Sequence, residues 1–124
     1  MPRRSKAEEL LDFEIAFYEK LLRAYPEFVD VLVQLAHAYT RRGLHERALA
    51  VDLRLSHLHG DDPITWYNLA CSYSILKRLD ESLESLRQAV ARGYRDLTTL
   101  RSDPDLENLR RSPHYPQFLA SVKT

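Results

Sequence analysis

The stretch PITWYNLACSYSILKRLDESLESLRQAVARG, residues 63–93, decides the fold. Trp66, Leu69, Ala70 and Tyr73 stand at i, i+3, i+4 and i+7, which places them on one apolar stripe of a short helix. Beyond a break at Lys77-Arg78, Leu79, Leu83, Leu86, Ala89 and Val90 form a second stripe of the same period. Two amphipathic helices joined by so few residues predict an antiparallel helical hairpin. A weaker copy lies upstream. Leu32, Leu35, Ala36 and Tyr39 precede Trp66, Leu69, Ala70 and Tyr73 by 34 residues, and Ala48 and Leu55 precede Ser82 and Ala89 by the same interval. A fixed period of this length is the signature of stacked supersecondary units, each burying its apolar face against the next.

The bulk numbers restrict the rest. A chain of 124 residues is read as one domain, long enough to bury roughly two-thirds of the surface its unfolded form exposes. Lys plus Arg and Asp plus Glu are 18 each, so there is no net field to attract nucleic acid or an anionic membrane. The single cysteine, Cys71, excludes an internal disulfide framework and suits a reducing compartment. No segment approaches the ~20 apolar residues of a membrane span. The opening MPRRSKAEELLDFEI is basic but meets acidic residues before any apolar run, unlike a secretory signal. A cytoplasmic location is the expectation.

The pattern W-x2-L-[GA]-x2-Y, followed by a small residue nine positions on and Ala seven further, resembles the tetratricopeptide repeat. Trp66, Leu69, Ala70, Tyr73, Ser82 and Ala89 carry it in the second copy, and Leu32, Leu35, Ala36, Tyr39, Gly43 and Ala48 in the first. The resemblance implies an all-α fold, a short right-handed α-solenoid of about two helical hairpins. An N-terminal helix at 6–25, resembling the second half of a hairpin, precedes repeat one at 28–60 and repeat two at 62–93. A closing segment at 96–124 follows. Its string D-P-D-L-x-x-L-R-x-x-P, from Asp103 to Pro113, resembles the end of repeat arrays in bacterial proteins and implies a bacterial, finished C-terminus.

Local chemistry supports these boundaries. Tyr25-Pro26 closes the first helix, because the residue before proline avoids helical geometry. Gly43 supplies a left-handed C-cap, and Gly93 does the same for the second hairpin. Asp62-Pro63 reads as N-cap and N1. Ser102-Asp103-Pro104 and Ser112-Pro113 each open a short helix in the tail, where Leu97, Leu100, Leu106, Leu109, Tyr115, Phe118 and Leu119 are available to seal the core. Two residues break the pattern: Asp52 and Glu14 stand at core-facing positions. A buried carboxylate is costly unless paired, so each is expected to meet an Arg, Tyr or His, or to turn toward water.

The residues interleaved with the core stripe are those able to meet a ligand: Asp30, Val33, Gln34, His37, Thr40 and Arg41 in repeat one, and Ile64, Tyr67, Asn68, Cys71, Ser74 and Ile75 in repeat two. By resemblance, Val33, His37, Tyr67, Asn68 and Cys71 line a concave groove. The mixture of apolar, aromatic, amide and imidazole groups suits a peptide, and Asn68 is able to pair with a peptide backbone. The carboxylate-gripping subgroup carries basic and amide side chains where Val33 and His37 stand, which argues against that specificity. The expected role is a non-catalytic adapter or scaffold binding a protein or peptide, with homo-oligomerisation through the chain ends as the alternative. No cofactor, metal or nucleic acid is expected. His57, His59, Asp61 and Asp62 gather possible metal donors, but residues two apart do not share a helix face. Cys71 could act beside His37 as its base, but no clear orienting group for that histidine is present, and the three glycines stand singly, so no phosphate loop exists.

Overall fold

Ser5 caps the first helix. Its hydroxyl accepts the Glu8 N–H at 3.1 Å while the Glu8 carboxylate accepts the Ser5 N–H at 3.4 Å, a reciprocal capping box that satisfies two otherwise orphaned donors. The computed structural model describes residues 3–122, and every element in that span is helical. Helix α1 (Lys6–Ala24) is followed by α2 (Val29–Arg42) and α3 (His45–Leu58). Then come α4 (Pro63–Ile75), α5 (Leu79–Ala91), α6 (Leu97–Ser102), a 3-10 turn (Pro104–Leu106), α7 (Glu107–Arg110) and α8 (Tyr115–Val122). The expected all-α class is observed, with α2–α3 and α4–α5 as the two hairpins. Packing divides the chain into two compact units, Met1–Leu58 and His59–Thr124.

In the first unit, Leu11 and Ile15 of α1 are buried with Leu35, Ala38 and Tyr39 of α2 and Ala48 of α3. Polar contacts tie α1 to α2 around this core. The Tyr39 hydroxyl donates to Glu19 at 2.6 Å, and burial, reinforced by that carboxylate, pushes its pKa up to about 12. The Arg42 guanidinium lies 2.8 Å from Asp12 and 2.9 Å from Glu8. Hydrogen bonding to Arg42 is the main reason the Asp12 carboxyl is held below its usual range. Asp52 is buried and has an interaction partner within the structure. Glu14 is only half-buried, so its side of α1 meets water.

The second unit opens as expected. Asp62 accepts the Ile64 N–H at 2.9 Å and Pro63 takes the first helical position of α4. Trp66 is held at the edge of the core: its indole N–H donates to the Gly60 carbonyl at 2.7 Å, and the Arg92 guanidinium lies 4.6 Å from its ring centre. The small residue of the repeat pattern, Ser82, is fully buried, and its hydroxyl donates to the Ala70 carbonyl at 2.7 Å. A larger side chain there would force α4 and α5 apart. Leu83, Leu86 and Ala89 continue the core into Leu100, Leu106, Leu109, Tyr115 and Phe118 of the tail.

The 34-residue period extends to individual hydrogen bonds. Gly43 (φ 84°) and Lys77 (φ 61°) both occupy the left-handed region. After Gly43, the Leu44 N–H reaches back to Tyr39 O at 2.8 Å, and after Lys77 the Arg78 N–H reaches back to Tyr73 O at 2.9 Å. These are the same C-terminal motif, one built on glycine and the other on lysine. Gly93 repeats it once more, with the Tyr94 N–H reaching Ala89 O at 3.0 Å.

The tail is more finely divided than the two expected helices. Ser102 ends a helix and does not open one: α6 begins earlier, where Asp96 caps the Thr99 N–H at 3.0 Å. Asp103 then caps the 3-10 turn by accepting from Asp105 N–H at 3.0 Å. The reason is local. Asp96 and Asp103 each offer a carboxylate two or three residues before a free backbone N–H, and each starts its own turn. The Ser112 hydroxyl accepts the His114 N–H at 3.3 Å ahead of α8, as the Ser-Pro signal implied.

Candidate functional site

Helix α2 exposes Asp30, Gln34, His37 and Arg41, with Val33 and Thr40 half-buried beside them. Their spacing keeps them on one side of the helix, so this part of the anticipated binding face stands in solvent. The other face of α2 carries the buried residues Val31, Leu32, Leu35, Ala38 and Tyr39.

Helix α4 departs from that pattern. Ile64 is 49% exposed, and Asn68 and Ile75 are half-buried, but Tyr67, Cys71 and Ser74 are 7%, 8% and 0% exposed. The chain's own C-terminal segment covers them. The Tyr67 ring stacks on Tyr94 with centres 4.7 Å apart and planes 9° from parallel, and its hydroxyl donates to the Asp103 carboxylate. The same carboxylate oxygen lies 3.9 Å from the Cys71 sulfur. Ser74 receives the Leu109 N–H on its hydroxyl at 3.1 Å and the Asn108 amide on its carbonyl at 2.9 Å. The expectation that Tyr67, Cys71 and Ser74 meet a ligand is therefore narrowed. These residues stand on the side of α4 onto which the non-repeating tail folds.

What remains open on α4 is a cleft of about 410 Å³. Pro63, Ile64, Tyr67 and Asn68 form one wall, and Gly93, Tyr94, Arg95, Asp96 and Thr99 form the other. The first wall supplies an exposed aliphatic edge from Ile64 and the Asn68 carboxamide, which has no hydrogen-bond partner among the described residues. The second is held rigid from within. Arg95 donates to its own Val90 and Tyr94 carbonyls at 2.9 and 2.8 Å, and the Asp96 carboxylate accepts the Thr99 hydroxyl at 2.6 Å. Those Thr99 bonds hold the Asp96 carboxyl below its usual range. Burial is the main cause raising the pKa values of the Tyr67 and Tyr94 hydroxyls, so both stay neutral donors at any physiological pH. Tyr94, Arg95, Asp96 and Thr99 escaped the sequence reading, and Asp103 reads there only as a helix cap. The spacing Asp96-x-x-Thr99 is a helix-start signal that marks this wall in retrospect.

The metal-like string near α4 resolves into ordinary surface contacts. His57 turns back to the Leu53 carbonyl at 2.9 Å, and His59 lies 3.2 Å from Asp62. Cys71, Asp103 and Asp105 do bring three donor atoms within 4.8 Å of one another. Both Asp103 oxygens are already engaged, one with the Asp105 N–H and the other with Tyr67. That cluster fastens the tail to α4. A second hollow, of about 610 Å³, is lined by Ala24, Tyr25, Pro26, Glu27, Phe28 and Arg54 in the first unit.

Comparison with known proteins places this geometry. The model of the tetratricopeptide repeat matches residues 64–92, the span from the exposed Ile64 to the Arg92 that covers Trp66. The chain is 36% identical over 87 residues to a chloroplastic protein of Arabidopsis thaliana, an alignment covering 65% of this chain and 25% of that protein. It is 34% identical over 116 residues to human tetratricopeptide repeat protein 17, covering 89% of this chain and 10% of the relative. The chain thus corresponds to a quarter or less of the length of these relatives. No helix among the described residues is long and apolar enough to cross a membrane. The hairpin of α4 and α5 carries the match to the tetratricopeptide repeat, and the all-helical, paired-helix architecture is consistent with that family's solenoid.

Proposed function

We propose that the chain is a non-catalytic protein-interaction module whose second unit holds a peptide segment in the cleft between Ile64–Asn68 and Tyr94–Thr99. Tetratricopeptide repeats as a family mediate protein–protein contact, and the match at residues 64–92 supports that class of role here. The observation that carries the finer reading is the pairing of exposed Ile64 with an Asn68 amide that has no hydrogen-bond partner among the described residues, both in one cleft. An extended peptide has an apolar side chain for the first and a backbone carbonyl and N–H for the second. The exposed strip of α2, from Asp30 through Gln34 and His37 to Arg41, supplies a separate polar surface on the first unit. Cysteine usage supports a cytoplasmic location, and the closing segment Asp103–Pro113 supports a bacterial type.

A cleft of this size buries well under about 1,200 Å², so micromolar affinity is expected. Peptides selected from a displayed random library should shift the backbone resonances of Ile64, Asn68 and Thr99. Ile64→Glu and Asn68→Ala should each weaken binding about tenfold, the loss of one or two anchoring contacts. Tyr67 is a poor probe, because it fastens the tail and its removal disturbs the fold. Peptides whose affinity ignores both substitutions would show that the cleft is not the binding surface.

A further inference from the structure

Helix α1 has two apolar faces. Leu11, Ile15, Tyr18 and Leu22 pack on α2 and α3. Leu10, Phe13 and Phe17 lie nearly opposite on the helical wheel and are 65%, 72% and 51% exposed. A soluble amphipathic helix ordinarily carries one apolar stripe, and an apolar stripe on each side marks a helix packed on both. We propose that the outer face of α1 pairs with α1 of a second copy of this chain as an antiparallel, two-fold helix pair, with Phe13 of each copy against Phe17 of the other.

The charges flanking the stripe choose the occupant and its direction. Glu9 precedes the two phenylalanines and Lys20 follows them, on the same flank, and neither has an ion-pair partner among the described residues. In an antiparallel two-fold pair, like flanks face each other. With Phe13 opposite Phe17, Glu9 of each copy lies beside Lys20 of the other, so two ion pairs close symmetrically. A parallel pair sets each flank against the opposite flank of the partner, so Glu9 of one copy never meets Lys20 of the other. Ala16 on the same flank leaves room for close approach. Of the other acids of α1, Glu8 and Asp12 face Arg42 and Glu19 accepts from Tyr39, while Glu14 stands on the opposite flank of the stripe. A helix of 19 residues is about 28 Å long, and pairing two of them covers on the order of 1,000 Å² in total, near the lower bound of specific interfaces. The dimer is therefore concentration-dependent. The surface belongs to the first unit and is independent of the α4 cleft.

Sedimentation equilibrium of the full chain from about 5 to about 300 µM spans the affinities such an interface supports. The weight-average mass should climb from 14.5 kDa toward twice that value. Phe13→Glu should weaken association about thirtyfold or more, as expected for a central aromatic anchor. Glu9→Lys should weaken it less, and Glu9→Lys combined with Lys20→Glu should restore it. A strict monomer at the highest concentration overturns the proposal, and a chain that stays monomeric until a different helical protein is added overturns the choice of a second copy. Association untouched by Phe13→Glu, in a variant with an unchanged helical spectrum, places the interface elsewhere. Failure of the double swap to restore it overturns the antiparallel pairing.

Discussion

One of the hydrogen bonds that fasten the tail to the repeat, Tyr67 to Asp103, has a strength that can be measured. Tyr67 is 7% exposed and donates its hydroxyl to Asp103, whose other oxygen caps Asp105 N–H at 3.0 Å. Tyr67→Phe deletes a hydrogen bond to a charged acceptor, and the half-buried Asp103 regains water, so about 1.5 kcal/mol should be lost. Asp103→Ala does two things. It removes a cap, about 1 kcal/mol, and it strands the Tyr67 hydroxyl in the interior, about another 2 kcal/mol. In the double variant no hydroxyl is left to strand, so the combined loss should fall short of the sum by about 1.5–2 kcal/mol. Asp103→Asn keeps a capping oxygen and an acceptor and should cost no more than about 1 kcal/mol. Trp66, the single tryptophan, sits in the same unit and reports urea unfolding through its fluorescence. Additivity of the two substitutions within about 0.3 kcal/mol would refute the claim that this hydrogen bond holds the tail on α4.

Three further outcomes follow from single positions. The buried Tyr115 hydroxyl has no hydrogen-bond partner among the described residues, so Tyr115→Phe should stabilise by about 1 kcal/mol in the same urea assay. Lys77 holds a left-handed conformation at φ 61° that its counterpart Gly43 adopts without a side chain. Lys77→Gly should gain about 0.5–1 kcal/mol and Gly43→Ala should lose about 1 kcal/mol, the latter with no packed neighbour in the way of the added methyl. Tyr39, Tyr67, Tyr94 and Tyr115 all have raised pKa values, Tyr39 to about 12. The folded state keeps those protons above pH ~10, where the unfolded chain releases them. Stability is thus fully present below pH ~10 and falls as pH climbs from there toward the folded-state values. Melting temperature should drop steeply between about pH 10 and 12, and at pH ~11 urea should produce a jump in tyrosinate absorbance near 295 nm.

How far the chain can be read in advance depends on what each residue answers to. The hairpins are legible because their determinants are local. The apolar stripe of Trp66, Leu69, Ala70 and Tyr73 is a spacing, and Asp62-Pro63 is a two-residue cap whose hydrogen bond forms where expected. Even the turn at Lys77, which carries no glycine to announce it, is placed by its distance of 34 residues from Gly43. The same logic fails at Asp103. From sequence it reads as a cap, which it is, but its second oxygen reaches Tyr67 across a separation of 36 residues. No period connects the tail to the repeat, so nothing local says that Tyr67, Cys71 and Ser74 will be covered while Ile64 and Asn68 are not.

That asymmetry has a physical origin in the repeat itself. A hairpin unit presents apolar surface on both sides and needs a neighbour to cover each. After α5 the chain carries no further copy of the motif, yet Ala70, Leu83, Leu86 and Ala89 still require burial. Leu100, Leu106 and Leu109, all 0% exposed, provide it from short turns whose positions are set by Asp96 and Asp103 as caps. Covering the core with short turns draws backbone donors and side-chain amides toward α4, and Ser74 receives one of each. The open cleft is the part of α4 that the tail does not reach, ahead of the stacked pair Tyr67–Tyr94. The segment that completes the core therefore also bounds the proposed binding surface, so a substitution loosening Asp103 should widen the cleft and lower its selectivity before it unfolds the hairpin.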